Sequence, residues 1–302
     1  MFMLPDTFLN FGTNCSFWVR EHIKIRWIRL EIDRIIRDGR GRGLRQLLAE
    51  LPAKTECVTI LGCGASVLEV SDKMWEEIQE SDTIGINFWI VHKFVPDVYF
   101  FEANRDKDRN RFMIECMRRR KEEYAKVASV VNWGLWRRAS RDPQVLEDIF
   151  GRNICYFAVP RCAIDTNVRL ERSIRRWLRS SFEYQLKSVS QYRGSLAIVL
   201  QFAVLAGYRK IRLVGVDLDA RGYFWEYSAG SLLVMDCSKL GITKGKIHPT
   251  ALRNDNIPKI SMSEFLKIFA KSAGELKGVS VVRVEGESEE DVVSWLERVH
   301  GV

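Results

Sequence analysis

The run Val58-Thr59-Ile60-Leu61-Gly62-Cys63-Gly64-Ala65-Ser66 constrains the fold more than any other stretch. Apolar and β-branched residues lead straight into a Gly-x-Gly turn, and Val67-Leu68-Glu69-Val70 follows. The pattern predicts a buried strand, a tight turn, and then a helix or a further turn. Glycines at that point allow φ > 0 and close approach of a ligand. Amide N–H groups left unpaired there attract phosphate. A plain strand-to-helix turn would carry the same residues, so the motif takes its meaning from the rest of the chain.

Further strand-like runs follow at Thr83–Asn87, Pro96–Phe101, Ser129–Trp133, Asn153–Val159, Lys210–Asp217 and Val279–Val284. Helical patterns separate them. Arg105–Lys126 is charged, and its run Arg118-Arg119-Arg120-Lys121 reads as a solvated face. Residues 169–182 form an amphipathic basic helix. Gly194-Ser195 opens a helix apolar on all sides, Leu196–Ala206, closed by Gly207-Tyr208. Ser261 or Ser263 caps another helix, with Phe265, Ile268 and Phe269 inward, and a closing helix runs from about Glu289 to Val299. The alternation predicts an α/β fold: a Rossmann-like, mostly parallel sheet flanked by helices. Ligands in such folds sit outside the carboxyl ends of the strands. Those ends are Gly62 to Ser66, Asn87, Glu102 to Asn104, and Asp217. Residues 219–247 have little periodicity and read as a flexible lid, with His248 just beyond it.

The N-terminal part has a different character. Ser16 caps a helix reaching about Arg37, with Trp18, Ile25, Ile28, Ile32 and Ile35 on one strip and Ile23, Trp27 and Leu30 on a second. Arginines and a lysine fill the spaces between. Such a helix packs on its own domain, on a second chain, or on an anionic membrane surface. Gly39-Arg40-Gly41-Arg42-Gly43 then reads as a hinge, and Leu44 to Leu51 as a short helix. The expected division is an N-terminal basic helical extension over 1–54 and a Rossmann-like domain over 55–302.

The net charge of +8 and the pI near 9.1 call for an anionic partner. The seven cysteines include no Cys-x-x-Cys pair and read as reduced core residues, which implies a cytoplasmic protein. The four histidines lack ligand spacing, so no metal site is expected. No stretch reaches the roughly 18 apolar residues that span a bilayer, and the N-terminus lacks a signal-peptide pattern. No motif for nucleic acid is present.

Leu61-Gly62-Cys63-Gly64 opens like an S-adenosylmethionine methyltransferase motif, but Ser66 replaces the third glycine and Asn87 replaces the acidic residue that would hold a ribose. An NAD fingerprint fails at Val67, and no Gly-Lys-Ser/Thr completes a P-loop. Read together over about residues 55–285, the segments resemble the bacterial sialyltransferases of glycosyltransferase family 42 and the related sialyltransferase-like and motility-accessory glycosyltransferases. The resemblance rests on Gly62-Cys63-Gly64-Ala65-Ser66-Val67, on Asn87 at a strand end, and on Gly194-Ser195 before the apolar helix. Gly207-Tyr208, Gly215-Val216-Asp217 and His248 complete it. Cys63 and Ala65 depart from the family's asparagine and proline, and its phosphate-side tyrosines are not in register.

The resemblance implies transfer of a sialic acid-type sugar from a CMP-sugar to a glycan hydroxyl. Gly62, Cys63, Gly64 and Ser66 would hold the nucleotide through their amides. Asn87, Asn104, Gly194, Ser195 and Asp217 would complete the donor site. Tyr223, Tyr227 and Lys246 would meet the leaving phosphate, with Lys244 nearby, and His248 would be the general base. The CMP-sugar is then a co-substrate and no cofactor is required, with Mg²⁺ left open. The partners the resemblance implies are the nucleotide sugar and the acceptor glycan; the basic N-terminal helix, outside it, leaves open a homo-oligomer or an anionic membrane surface met through residues 16–48. The protein would be cytoplasmic or peripheral on that membrane. The alternatives are a pterin pyrophosphokinase of the same architecture, with Mg²⁺ on Asp217 and Asp219, an S-adenosylmethionine-dependent methyltransferase, and a non-enzymatic basic binding module.

Overall fold

The computed structural model describes residues 23–51, 55–103, 106–139, 143–162, 164, 166–227, 232–241, 244–246 and 260–300. Among these residues nine strands form one sheet in the order β1-β6-β5-β4-β3-β2-β7-β8-β9. They are β1 (Arg42–Gly43), β2 (Cys57–Leu61), β3 (Asp82–Ile86), β4 (Val98–Phe101), β5 (Ala128–Asn132), β6 (Ile154–Phe157), β7 (Lys210–Val214), β8 (Ser280–Glu285) and β9 (Ser288–Asp291). Every pairing is parallel except that of β8 with β9. The expected α/β class and mostly parallel sheet are what the chain adopts.

Helices cover both faces. In chain order they are α1 (23–37), α2 (Leu44–Glu50), α3 (Asp72–Glu80), α4 (Lys107–Arg119), α5 (Trp133–Ala139), α6 (Gln144–Phe150), α7 (Asn167–Arg179), α8 (Phe182–Ser188), α9 (Ser195–Leu205), α10 (Met262–Lys277) and α11 (Val292–His300). One core layer joins α7, α9, α10 and α11 to one side of the sheet. The other joins α1, α3, α4 and α6 to the opposite side. Alternate residues of β2 show why: Val58 and Ile60 enter the first layer and Leu61 the second. The apolar α9 is buried along most of its length. Ser261 is the cap of α10, in a reciprocal capping box with Glu264.

Four readings change. Gly39–Gly43 is a built turn rather than a hinge: Arg40 pairs with Glu147 at 2.8 Å, and Arg42 and Gly43 form β1 against β6. Arg120 leaves the solvated face expected of its run. Its side chain is 2% exposed, and it donates to the carbonyls of Ile90, His92 and Lys93. The last helix starts at Val292, because Gly286, at φ 63°, turns β8 back into β9. Glu289 on β9 reaches Lys210 and Arg212 of β7, while Asp291 accepts the amides of Val293 and Ser294 and so caps α11. The described parts of the expected flexible lid are tied down: Leu232 accepts from the Lys93 amide at 2.7 Å, and Val234 donates to Val91 at 3.0 Å.

α1 is built into the second core layer through Ile25, Ile28, Ile32 and Ile35. Its other strip, Ile23, Trp27 and Leu30, faces outward and is more than half exposed.

His92 is a core residue. Its ring lies 4.2 Å from Trp89 and 5.5 Å from Trp75, and its Nδ1 accepts the Phe94 amide. Burial, aided by Lys93 and Arg120, lowers its pKa to about 3. The unfolded chain binds a proton at His92 below about pH 6.5 and the folded chain does not, so stability falls as pH drops through 6.5 toward 3. We expect this one group to cost about 2 kcal/mol between pH 7.5 and pH 5. Urea titrations of wild type and His92→Gln test this: the stability gap between them should narrow by that amount at pH 5. A gap independent of pH would show that His92 does not titrate on unfolding.

Candidate active site

The chain leaves β2 toward β3 on one side and β7 toward β8 on the other. Neighbouring strands whose connections diverge in this way open a crevice at their carboxyl ends. Here that crevice is a cavity of about 800 Å³, walled by the ends of β2, β3, β4 and β7 and the start of α9. This volume lies in the range of small-ligand sites.

The glycine turn works differently from the reading above. Neither Gly62 nor Gly64 has a positive φ, and Gly64 sits at φ −69°. A Cβ on Gly62 would stand 2.4 Å from the Gly215 carbonyl oxygen, and one on Gly64 2.5 Å from Asp217 Oδ2. The glycines are needed because β2 and β7 exit side by side. The amides are used within the protein as well: Gly62 donates to Val214, Gly64 to Gly215 and Ala65 to Gly222. Ser66 donates to Asp217 through its amide at 2.8 Å and its hydroxyl at 2.6 Å. The turn is a lock between two strand ends, and four of its amides are not open to a phosphate. Cys63 lines the cavity, but burial pushes its thiol up, so it stays protonated.

Asp217 is the other half of that lock. Its side chain is 2% exposed and also faces Arg221 at 3.4 Å and Arg283 at 3.8 Å. Arg221 further meets Asp219, Glu69 and Glu285. Burial works against the Arg221 charge, but Asp217 and Asp219 outweigh it and raise its pKa. Glu285 is held down to about 2, chiefly by its hydrogen bond from Arg283. The two carboxylates that a Mg²⁺-dependent phosphotransfer would require therefore both face a guanidinium. No acidic or Cys/His cluster suited to a metal ion occurs among the described residues.

The polar wall lies across the cavity. Asn87 follows β3 with φ 53°, a left-handed conformation that asparagine tolerates better than most residues. Its Nδ2 donates to Ser195 Oγ at 3.2 Å, and its Oδ1 accepts the Glu102 amide at 3.2 Å. Ser195 opens α9 and donates in turn to Glu102 Oε2. Asn132 and Gln191 also donate to Glu102, at 2.8 and 3.1 Å. Burial raises the Glu102 carboxyl, while the hydrogen bonds from Ser195 and Asn132 and the Arg161 charge pull the other way. A carboxylate is thus held at the positive end of α9, where the helix dipole favours it.

The third wall is aromatic. Tyr223 and Trp225 stack with centroids 4.5 Å apart, Phe88 lies edge-on to Trp225, and Arg109 lies over the Phe88 ring. Lys246 reaches the rim. Flat aromatic faces beside cations suit a nucleobase and a phosphate.

Of the expected site residues, Gly62, Cys63, Gly64, Asn87, Gly194, Ser195, Asp217, Tyr223 and Lys246 line this one cavity. Ser66 sits behind it on Asp217. Tyr227 is not among the lining residues: its hydroxyl donates to the Arg221 carbonyl and Lys244 covers its ring. Asn104 and His248 lie outside the described residues. Sequence reasoning named Glu102 only as a strand-end residue without a role, and left out Arg109, Gln191, Phe88 and Trp225. Glu102 was signalled by its strand-end position; the others come from helices or loops whose placement no local pattern gives.

No protein-family model matches the chain, and no curated protein matches it. Its structure is similar to those of sialyltransferases. A single-residue variant of the sialyltransferase CST-II in complex with CMP superposes with a TM-score of 0.43 at 14% identity, over 77% of this chain and 83% of the other. The monofunctional α-2,3-sialyltransferase Cst-I from Campylobacter jejuni gives a TM-score of 0.43 at 14% identity, over 79% and 78%. CstII from Campylobacter jejuni, with cytidine-5'-monophosphate, gives a TM-score of 0.37 at 12% identity.

Proposed function

We propose that the chain is a glycosyltransferase that moves a nonulosonic acid such as sialic acid from its CMP conjugate to a sugar hydroxyl. The observation that carries this reading is convergence. Residues far apart in sequence, chosen for their order and spacing, meet at one switch-point cavity: the Gly62–Gly64 turn, Asn87, Ser195 and Asp217. The aromatic wall of Phe88, Tyr223 and Trp225 offers stacking for cytosine, and Arg109 and Lys246 offer charge for the phosphate. Asn87 and Ser195 face the sugar. Asp217 serves this site by fixing the turn rather than by touching the nucleotide.

In the proposed reaction the glycosidic bond to the phosphate oxygen breaks through an oxocarbenium-like transition state. CMP departs as an anion, and cations near its phosphate stabilise the developing charge. His248 takes the acceptor hydroxyl's proton as that oxygen bonds to the anomeric carbon. Incubation with CMP-sialic acid tests the reading: CMP should be released faster when a sugar acceptor is added. Release of no CMP from any CMP-nonulosonate would remove it.

A further inference from the structure

The exposed strip of α1 adjoins a second concavity on the molecule. Between α1, α7 and α8 lies a groove of about 870 Å³. Six cations line it, Arg26, Arg29, Arg169, Arg172, Arg176 and Lys187, against one carboxylate, Asp33. Beside the charges stand apolar side chains open to solvent: Ile23 is 54% exposed, Leu30 52% and Tyr184 49%, with Trp27 67% exposed on the same helix.

We propose that this groove docks the protein on an anionic phospholipid surface. Two features together choose that partner. A ring of arginines selects phosphate-bearing headgroups, and each cation at such a surface adds to the attraction. Exposed Trp, Ile and Leu beside the charges gain by entering the acyl boundary, which a lipid offers. A nucleic acid would meet the arginines but give the aliphatic residues nothing. A second copy meeting this face by two-fold symmetry would set six cations against six.

The groove also has an address. Pro160, Cys162, Ser190 and Tyr192 form its inner end. Arg161 pairs with Gln191 in an isolated bridge, and Gln191 lines the candidate active site, where it holds Glu102. One strip of backbone, 190–194, therefore runs from the lipid-facing groove to the donor cavity. A molecule anchored in that surface would present its head at the catalytic end.

Cosedimentation of the full chain with vesicles tests the proposal independently of any transferase activity. Vesicles of phosphatidylcholine alone are compared with ones containing phosphatidylglycerol. The protein should pellet with the anionic vesicles only, and less at about 0.5 M salt, where exposed charges are screened. Arg172→Gln with Arg176→Gln should lower the partition coefficient roughly 30-fold, and Trp27→Ser should lower it as well. All three side chains lie on exposed helix faces, so near-unchanged melting serves as the folding check. Equal binding to neutral and anionic vesicles, no binding, or binding indifferent to both variants would overturn the proposal. A lipid-free dimer that Trp27→Ser converts to monomer would assign the face to a second copy and overturn it as well.

Discussion

Replacing Asp217 with alanine is expected to destabilise the protein by roughly 3–5 kcal/mol, the range found when one partner of a buried ion pair is removed. Asp217 accepts both the amide and the hydroxyl of Ser66 and faces two guanidiniums. The alanine leaves the Ser66 donors without their acceptor and Arg283, itself 3% exposed, with Glu285 as its remaining carboxylate and the Trp295 ring beside it. Asp217→Asn keeps an acceptor for Ser66 and should cost less. Urea unfolding measures both: the midpoint should fall with the slope unchanged. Gly64→Val should cause a comparable loss, since its Cβ would stand 2.5 Å from the same carboxylate. An Asp217→Ala protein as stable as wild type but unable to bind CMP would make Asp217 a ligand contact instead of a lock.

His248→Ala is expected to lower turnover by about 10²–10⁴ while leaving CMP affinity unchanged. In the proposed reaction the base acts on the acceptor hydroxyl, so its loss would raise the barrier without removing a nucleotide contact. The wild-type rate should fall as pH drops through the histidine's pKa, because a protonated ring cannot accept a proton. The variant should lose that limb of the profile. Steady-state rates from pH 5 to 9 decide the matter, and a fully active variant with the wild-type profile would take His248 out of the mechanism.

Period and punctuation made much of this legible in the sequence. Apolar runs gave β2, β3, β4 and β8 to within two residues at each end and β7 to within three, and all-round hydrophobicity gave the central α9. The hairpin with β9 was hidden because Ser288–Asp291 is wholly polar, and its strand character comes from pairing with β8 and from Lys210 and Arg212. The burial of Arg120 was hidden for the same reason: three carbonyls from the 90–93 loop satisfy it, and nothing local announces them. At the site, spacing located the glycine turn correctly and misjudged its purpose. Close approach of two strands and close approach of a ligand select glycine equally, and only the positions of Gly215 and Asp217 separate them. Glu102 gained its place through Asn132, Gln191 and Ser195, partners 30 to 93 residues away.

Calorimetric titration of the purified chain with a nucleotide panel tests the central claim most directly. CMP should bind with a Kd in the range of about 1 μM to 1 mM usual for substrates, and Ser195→Ala should keep that affinity, because in the proposed donor site its hydroxyl meets the sugar and not the base. ATP with Mg²⁺ and S-adenosylhomocysteine should give no heat. Binding of either of those with none of CMP would contradict the assignment of this cavity to a CMP-sugar.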